Sequence, residues 1–173
     1  IANHHIDGIG SGFSFGVGQD LKEVDKNISY LGQGGIGLPN RDYYTEANKK
    51  DILKAYQAHI AKIFIMAGNS EEKSLEAALS VVKFETKLAE SMLTPAKMRI
   101  PELTYNKLSF NNVIKSFGTF DFRYYLSKIG AQTPDSIIVS NPYFITTLAA
   151  CIETESLQTW KYYLQWNVLP IPY

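Results

Sequence analysis

Residues 31–44 read LGQGGIGLPNRDYY, and the interpretation of the whole chain depends on this stretch. Four of its first seven residues are glycine, which lets the backbone adopt torsions and close approaches that other residues do not tolerate. Ile36 and Leu38 alternate with glycine, a pattern typical of a packed segment, and the following proline fixes the direction of the chain. We therefore predict an ordered loop that joins a strand-rich beginning to a helical body. Its structural residues are Gly34, Gly35, Gly37, Pro39, Arg41 and Asp42.

Arg41 and Asp42 follow directly after the glycine-rich segment. A planar guanidinium carries five N–H donors, which suits a loop with many free carbonyl oxygens. We predict that both residues are structural and hold the loop by hydrogen bonds to carbonyls, amides or neighbouring groups.

Length and composition indicate a single folded domain over residues 1–173, with flexible residues 1–12. The hydrophobic content of 45% is that of a globular protein. Lys plus Arg equals Asp plus Glu, so a formal net charge of zero gives no electrostatic case for binding nucleic acid or an anionic membrane. No run approaches the roughly 20 apolar residues that cross a bilayer. The single cysteine, Cys151, lies in an apolar run, where we predict a buried and inert thiol.

Hydrophobic periodicity predicts a mainly α fold with a small β component, in the form of a multi-helix domain with a short N-terminal hairpin. Apolar and small residues alternate at 13–17, and residues 27–31 are the predicted hairpin partner. A short β-branched strand is predicted at residues 136–140. Periodicity and capping residues predict helices from Thr45 or Asn48 to Gly68, from Ser70 to Pro95, from Ser109 to Phe117, over 120–129, from Asn141 onward, and from Thr154 or Ser156 to about Val168.

Glu85 falls on the apolar stripe of the second long helix, three residues after Val82 and four before Ala89. A carboxylate in that position is at least partly buried and needs hydrogen-bonding or charged partners. The candidate partners are Arg41, Arg99 and Arg123. A catalytic role is not indicated, because no metal ligand or nucleophile accompanies the acid.

The last predicted helix is apolar around almost its whole circumference, which indicates burial on more than one side. In a chain of this size, only one side packs easily on the domain's own core. We predict that the other side either mediates self-association or leaves Trp160 or Trp166 exposed.

The chain has three histidines, His4, His5 and His59, and no two of them are one helical turn apart. Adjacent histidines on an extended chain make a poor chelate, so His4 and His5 are predicted to be solvated, and His59 is predicted to be a packing or capping residue. Neither an H-E-x-x-H zinc motif nor a G-x-S-x-G elbow occurs. We therefore assign no catalytic residue and no metal ligand to this chain.

The stretch at 31–44 resembles the QGG-LGLP-RDYY signature of neprilysin-type zinc metallopeptidases, the family that includes endothelin-converting enzyme and bacterial oligopeptidases. Further segments are similar to that family in the expected order. They are YQAHIAKIFIMAG at 56–68, FETKLAESMLTP at 84–95, YNKLS at 105–109 as the start of a helix, VSNPYF at 139–144 and WKYYLQW at 160–166. The resemblance covers roughly residues 13–166.

The resemblance implies a fragment of the non-catalytic helical domain that caps the catalytic domain of a zinc endopeptidase. In that family two histidines one turn apart bind zinc, the glutamate between them activates water, and a third ligand comes from a later helix. These residues have no counterpart here. The resemblance therefore implies zinc and peptide substrates for a longer parent protein, and an inactive fragment. It also implies a secreted, periplasmic or membrane-anchored location.

The alternative is a stand-alone helical binding or interaction module without catalytic activity. A reading frame that continues beyond residue 173 into H-E-x-x-H favours the peptidase, and a stop codon there favours the module. A small enzyme of another type has no set of catalytic residues to support it.

Overall fold

The computed structural model describes residues 1–169. The fold is mainly α with a small four-stranded sheet, as predicted, with 57% helix and 13% strand. The helices are α1 (Ala2–Ile6), α2 (Asp42–Thr45), α3 (Lys50–Met66), α4 (Glu71–Ser91), α5 (Pro101–Thr104), α6 (Phe110–Ser116), α7 (Phe122–Lys128), α8 (Pro142–Thr154) and α9 (Leu157–Val168). The strands are β1 (Phe13–Gln19), β2 (Asn27–Gln33), β3 (Asn106–Ser109) and β4 (Ser136–Val139), and 3₁₀ turns lie at Ala47–Lys49 and Lys97–Arg99.

The chain forms two compact units. The first contains Ile1–Gly35 and Ser91–Thr154, and the second contains Ile36–Glu90 and the chain from Glu155 onward. Each unit is built from two separate stretches of sequence, so neither is a contiguous segment of the chain. The single domain predicted for residues 1–173 stays a prediction.

The four strands of the first unit pair in the order β1-β2-β4-β3. β1 and β2 form the predicted antiparallel hairpin, in which Phe13 lies opposite Gln33. β2 runs parallel to β4, and β3 runs antiparallel to β4. The inner strand β4 buries three β-branched residues, Ile137, Ile138 and Val139, which is the composition expected of a strand covered on both faces.

The strand β3 is an addition to the predicted fold, since the resemblance placed residues 105–109 at the start of a helix. The helix begins later, at Phe110, and Ser109 caps it by accepting a hydrogen bond from the Asn112 N–H, as predicted. β3 pairs with β4, a strand distant in sequence, so its formation depends on a contact that local patterns do not reveal.

An aromatic cluster packs on β1 in the first unit. The ring of Phe13 lies 5.4 Å from that of Phe117 and 5.0 Å from that of Tyr125, between centroids. Phe122 stacks on Phe117 at 4.7 Å. All four rings are buried, and aromatic pairs of this geometry each contribute about 0.5–1.5 kcal/mol beyond their buried area.

The N-terminal segment folds into α1, and its histidines are not the solvated pair predicted from extended-chain geometry. His5 Nδ1 lies 2.7 Å from Tyr125 Oη, and its Nε2 lies 2.8 Å from the Ser11 carbonyl oxygen. His4 Nδ1 lies 2.7 Å from Ser11 Oγ. Partial burial lowers the pKa of both histidines. The prediction failed because the segment is helical and packs on α7; flexibility of residues 1–12 stays a prediction.

Three helices, α3, α4 and α9, build the core of the second unit. Each places apolar residues three or four positions apart, so that they share one face. The buried members of the cluster are Ile60, Ala61, Ile63, Phe64, Ala77, Ala78, Val81, Val82 and Trp166. α3 ends at Met66, and Gly68, the residue predicted to stop this helix, follows with a φ of +92°.

The last helix, α9, is capped by Ser156, one of the two predicted caps, whose Oγ accepts a hydrogen bond from the Thr159 N–H at 3.0 Å. Trp166 is only 6% exposed, and Trp160 is half-buried with its ring 4.8 Å from that of Phe84. The predicted exposure of a tryptophan is therefore wrong, because the neighbouring helices of the same unit cover both rings. Self-association stays a prediction.

The apolar helix α8 starts as predicted, with Asn141 as its cap and Pro142 as its first residue. Asn141 Oδ1 accepts a hydrogen bond from the Phe144 N–H at 3.2 Å. Cys151 lies buried on this helix, also as predicted. Neither α8 nor any other helix within residues 1–169 combines the length and apolar character needed to cross a membrane.

Candidate functional site

The glycine-rich stretch lies where the chain leaves the first unit, between Gly35 and Ile36. On the first-unit side, a Cβ on Gly34 would lie only 3.2 Å from the Ser14 backbone nitrogen in β1. Gly35 has a φ of +76°, in the left-handed region that side chains disfavour. Backbone packing and torsion thus account for the glycines at these two positions.

On the second-unit side, Gly37 lies directly against Tyr56. A Cβ on Gly37 would lie 2.0 Å from Tyr56 Oη and 3.5 Å from Glu85 Oε1. The next residue, Leu38, donates its N–H to Tyr44 Oη at 2.9 Å. The absence of a side chain at Gly37 therefore lets the loop backbone reach the polar groups buried beneath it, while Pro39 is exposed and leads toward α2.

Glu85 of α4 is 0% exposed and is the centre of this buried network. Tyr44 Oη donates a hydrogen bond to Oε2 at 2.6 Å, and Tyr56 Oη donates to the same oxygen at 3.0 Å. The backbone N–H of Gly37 also donates to the carboxylate. Tyr56 Oη accepts in turn from Trp166 Nε1 at 2.9 Å. The carboxyl group thereby ties the loop, α2, α3 and α9 to α4.

The Glu85 carboxyl forms no ion pair within residues 1–169. Burial raises the pKa of Glu85 to about 7, against the lowering effect of the hydrogen bonds from Tyr44, Gly37 and Tyr56. Burial and the adjacent Glu85 charge also raise the pKa of Tyr44 and of Tyr56, so both hydroxyls stay protonated donors. Glu85 is therefore balanced between its neutral and charged forms near neutral pH.

The arginine partners predicted for Glu85 are wrong. Its hydrogen bonds come from two tyrosine hydroxyls and one amide, all of them neutral donors. A neutral donor costs less to bury than a guanidinium, which carries its own desolvation penalty. Two tyrosines in the sequence could have indicated the true partners of Glu85. Tyr44 lies in the signature stretch and Tyr56 lies on the apolar stripe of α3, and a buried tyrosine hydroxyl needs a hydrogen-bond partner.

Arg41 and Asp42 lie at the start of α2. The Arg41 carbonyl oxygen accepts a hydrogen bond from Thr45 Oγ1 at 3.2 Å, and the Asp42 N–H donates to Asn40 Oδ1 at 2.9 Å. Arg41 Nε is buried without a hydrogen-bond partner in the part of the chain that the structure describes. The observed bonds thus use the backbone of these two residues, and a structural role for their side chains stays a prediction.

A second polar cluster, which sequence reasoning missed, lies at the hairpin turn of the first unit. Asp20 is 1% exposed and accepts hydrogen bonds from Tyr105 Oη at 2.7 Å and Lys107 Nζ at 2.9 Å. Lys107 also contacts Glu23 Oε1 at 2.6 Å. The Lys107 ammonium holds the pKa of Asp20 well below its usual range. The cluster borders an open cleft of about 490 Å³ and fastens the turn to β3, so recognising it requires knowing that β3 exists.

No group of three His, Cys, Asp or Glu side chains within residues 1–169 is placed to hold a metal ion. His59 packs edge-on against Trp166, with 6.0 Å between ring centroids. The fold brings Gly37, one of the predicted loop residues, together with Glu85, the predicted buried acid. Gly34 and Gly35 pack in the first unit, and Pro39, Arg41 and Asp42 lead into α2. The arrangement around Glu85 is a buried network of hydrogen bonds.

The sequence model of peptidase family M13 matches residues 1–170. An endothelin-converting enzyme homolog from Locusta migratoria is 33% identical over 106 residues, which cover 61% of this chain and 15% of the relative. Endothelin-converting enzyme 1 from Cavia porcellus is 24% identical over 163 residues, which cover 91% of this chain and 22% of the relative. The chain therefore spans less than a quarter of the length of these two curated relatives.

Solved structures share the fold. The Mycobacterium tuberculosis zinc metalloprotease ZMP1, solved in complex with an inhibitor, is 27% identical with a TM-score of 0.91, over 96% of this chain and 26% of that protein. PepO from Lactobacillus rhamnosis is 20% identical with a TM-score of 0.78, over 97% of this chain and 27% of that protein. The second likeness concerns the fold alone. In both cases the matching region is about a quarter of a longer chain.

Proposed function

Because the chain belongs to peptidase family M13, we propose that it is part of the non-catalytic, largely helical N-terminal domain of a zinc metalloendopeptidase that cleaves oligopeptides. The observation that carries this proposal is the family match across residues 1–170. The TM-score of 0.91 to a solved zinc metalloprotease supports it. Since the chain spans only 26% of that protein, we assign bond cleavage to the rest of a longer parent protein.

The zinc ion of such an enzyme is also assigned to the rest of the parent, because the residues described here do not fit a zinc site. Nitrogen atoms of His4 and His5 are hydrogen-bonded to Ser11 and Tyr125, and His59 packs against an indole ring. Two histidines one turn apart with a glutamate between them are absent from the sequence. We therefore assign no step of the reaction to residues of this chain.

The proposed contribution of the chain is to help enclose the cavity that admits peptides and excludes folded proteins. Such a role needs a surface held in one shape and no reactive group. The close backbone packing at Gly34 and the apolar core built by α3, α4 and α9 support it, since both hold packed elements in place. A formal net charge of zero favours selection by size over electrostatic steering.

The gene and the full-length protein that it encodes test the peptidase assignment. We expect the reading frame to continue into an H-E-x-x-H motif, and the purified protein to bind zinc stoichiometrically and cleave internally quenched peptides. The matched control is the same protein with the motif glutamate replaced by glutamine, which should keep zinc and lose cleavage. A stop codon directly after residue 173 would overturn the proposal in favour of the stand-alone binding module.

The enclosing role has its own test in the same protein. One cleavable sequence is offered as a free peptide and as a loop inside a stably folded carrier protein. We expect the free peptide to be cleaved at least about a hundredfold faster than the same sequence in the carrier, because a steric barrier excludes the folded carrier. Equal rates would contradict the enclosing role and leave the peptidase assignment intact.

A further inference from the structure

Glu85 lies directly beneath the backbone of the glycine loop. Its carboxyl group is 0% exposed, whereas Gly37 is exposed. A Cβ built on Gly37 would lie 3.5 Å from Glu85 Oε1, so backbone without a side chain is the cover at this point. The loop backbone therefore separates the carboxyl from solvent on this side.

Within residues 1–169, every group that donates a hydrogen bond to Glu85 is neutral. The loop presents the Gly37 N–H, α2 presents the Tyr44 hydroxyl, and α3 presents the Tyr56 hydroxyl. Beyond Tyr56 lies Trp166 of α9, against which the His59 ring packs. Three neutral donors offset part of the free energy needed to bury a carboxylate, and hydration would offset more.

We propose that Glu85 is a proton-sensitive clasp on the glycine loop. Neutral Glu85 keeps Gly37 and Leu38 closed over the carboxyl, and ionised Glu85 favours an open arrangement in which water reaches it. The closed state binds the proton more tightly than the open state does, so a rise in pH shifts the equilibrium toward opening. The raised pKa of Glu85, about 7, places the shift near neutral pH.

The loop is the part of the network that can give way. Trp166 and its neighbours on α3 and α4 belong to the buried core of the second unit, and moving them would expose a large apolar area. Gly37 and Pro39 are exposed, Leu38 is half-buried, and the adjoining α2 has only four residues. Segments with few buried contacts open at the lowest free energy.

The clasp lies on one of the stretches through which the chain crosses between its two compact units, since the crossing falls between Gly35 and Ile36. This inference stands on the geometry of the second unit alone and does not depend on the proposed peptidase role.

Nuclear magnetic resonance of the 173-residue chain tests the clasp. The ¹³Cδ shift of Glu85 and the amide shifts of Gly37 and Leu38 are followed from about pH 5 to about pH 9, a range that brackets neutral pH. We expect all three to change with one common midpoint near 7, the pKa of Glu85. Amide protection factors at Gly37 and Leu38, corrected for the intrinsic exchange rate, should fall about tenfold over the same range.

Three variants isolate the carboxyl. Glu85→Gln, which stays neutral, should keep both amides protected and remove their pH dependence. Glu90→Gln changes an exposed acid on the same helix and should leave the titration unchanged. His59→Gln should also leave it unchanged, which separates the effect of Glu85 from that of the histidine ring that packs against Trp166.

Amide shifts at Gly37 and Leu38 that stay constant with pH would overturn the proposal, as would protection that rises with pH. If Glu85→Gln does not fold, the wild-type data decide. Coincident midpoints of the carboxyl and the amides support the clasp, and midpoints more than about one pH unit apart overturn it.

Discussion

At Gly37 the lack of a side chain decides whether the loop can reach Glu85. A Cβ there would lie 2.0 Å from Tyr56 Oη and 2.9 Å from its Cζ. Gly37→Ala must therefore displace the loop or the Tyr56 ring, and we expect it to lower the free energy of unfolding by about 1–3 kcal/mol. Gly10→Ala is the matched control, because a Cβ on Gly10 meets nothing within 4 Å. Denaturant unfolding measures both, and equal midpoints would contradict the close packing.

Glu85 also makes the global stability depend on pH. Burial raises its pKa to about 7 from its usual value of 4.5, so the folded state keeps the proton through a range where the unfolded chain has lost it. The stabilising contribution is complete below about pH 4.5 and is lost as the pH rises to about 7, on the order of 3 kcal/mol. Glu85→Gln should remove this dependence. The unfolding free energies of wild type and variant are measured below pH 4.5 and above pH 7, and the difference between the two proteins should change with pH. A difference that stays constant with pH would refute this account.

The same residues show how far local sequence patterns extend. The burial of Glu85 follows from its place on a helical stripe, which is visible within a few turns of one helix. Its partners are not visible there, because Tyr44 and Tyr56 lie 41 and 29 residues away in sequence. Charge complementarity alone therefore predicted arginine partners. The buried site uses neutral donors instead, and burying a neutral donor does not remove the hydration of a full charge.

At the scale of elements, most features set by nearby residues were predicted and those set by distant pairing were not. The cap predicted at Thr45 or Asn48 is wrong, because Lys49 is the N-cap of α3 and makes no side-chain capping bond. Ser109, Asn141 and Ser156 cap their helices as predicted, because a cap bonds an amide three positions further along. β3 has four residues and forms only by pairing with β4. Nothing within residues 106–109 separates a short strand from the approach to a helix, so the sheet decides.

Asn141 joins β2, α8 and Ser91, the last residue of α4, so its loss should cost more than the loss of an ordinary helix cap. Its Nδ2 donates to Gln33 Oε1 at the end of β2 and to the Ser91 carbonyl oxygen at the end of α4, both at 2.9 Å. Its Oδ1 caps α8 through the Phe144 N–H. Asn141→Ala removes three hydrogen bonds at once, so we expect a loss of about 2–4 kcal/mol in unfolding free energy.

The control for Asn141 is Ser109→Ala, which removes an exposed cap of α6 that bonds one amide. Its expected loss is about 1 kcal/mol. Equal losses in the two variants, measured by denaturant unfolding at one pH, would show that the contacts of Asn141 to β2 and α4 contribute nothing beyond capping.

At the scale of the whole molecule, residues 1–169 contain no group of three His, Cys, Asp or Glu side chains placed to hold a metal ion. We predict that the 173-residue chain alone binds no stoichiometric zinc and cleaves no peptide, because its sequence lacks the zinc-binding motif. Metal analysis after dialysis against zinc and a fluorogenic peptide assay measure the two properties. One tightly held zinc ion per chain, or cleavage that survives removal of contaminating proteases, would contradict the prediction.

Association of the isolated chain tests whether its surface is complete. The aromatic residues of α9 are used internally, since Tyr163 and Trp166 are buried, but Leu157 is 71% exposed. The two curated relatives named above are more than four times as long as the part of them that this chain matches, so we expect apolar side chains left bare here to drive self-association.

Leu157→Ser should then raise the dissociation constant at least about tenfold, because each copy loses the burial of one leucine. Tyr143→Ser, which changes an equally exposed residue of the first unit at 69%, is the matched control and should leave the constant unchanged. Sedimentation across a concentration series measures all three proteins. A strict monomer at every concentration would mean that the surface is complete, and would favour the stand-alone module over a segment of a peptidase.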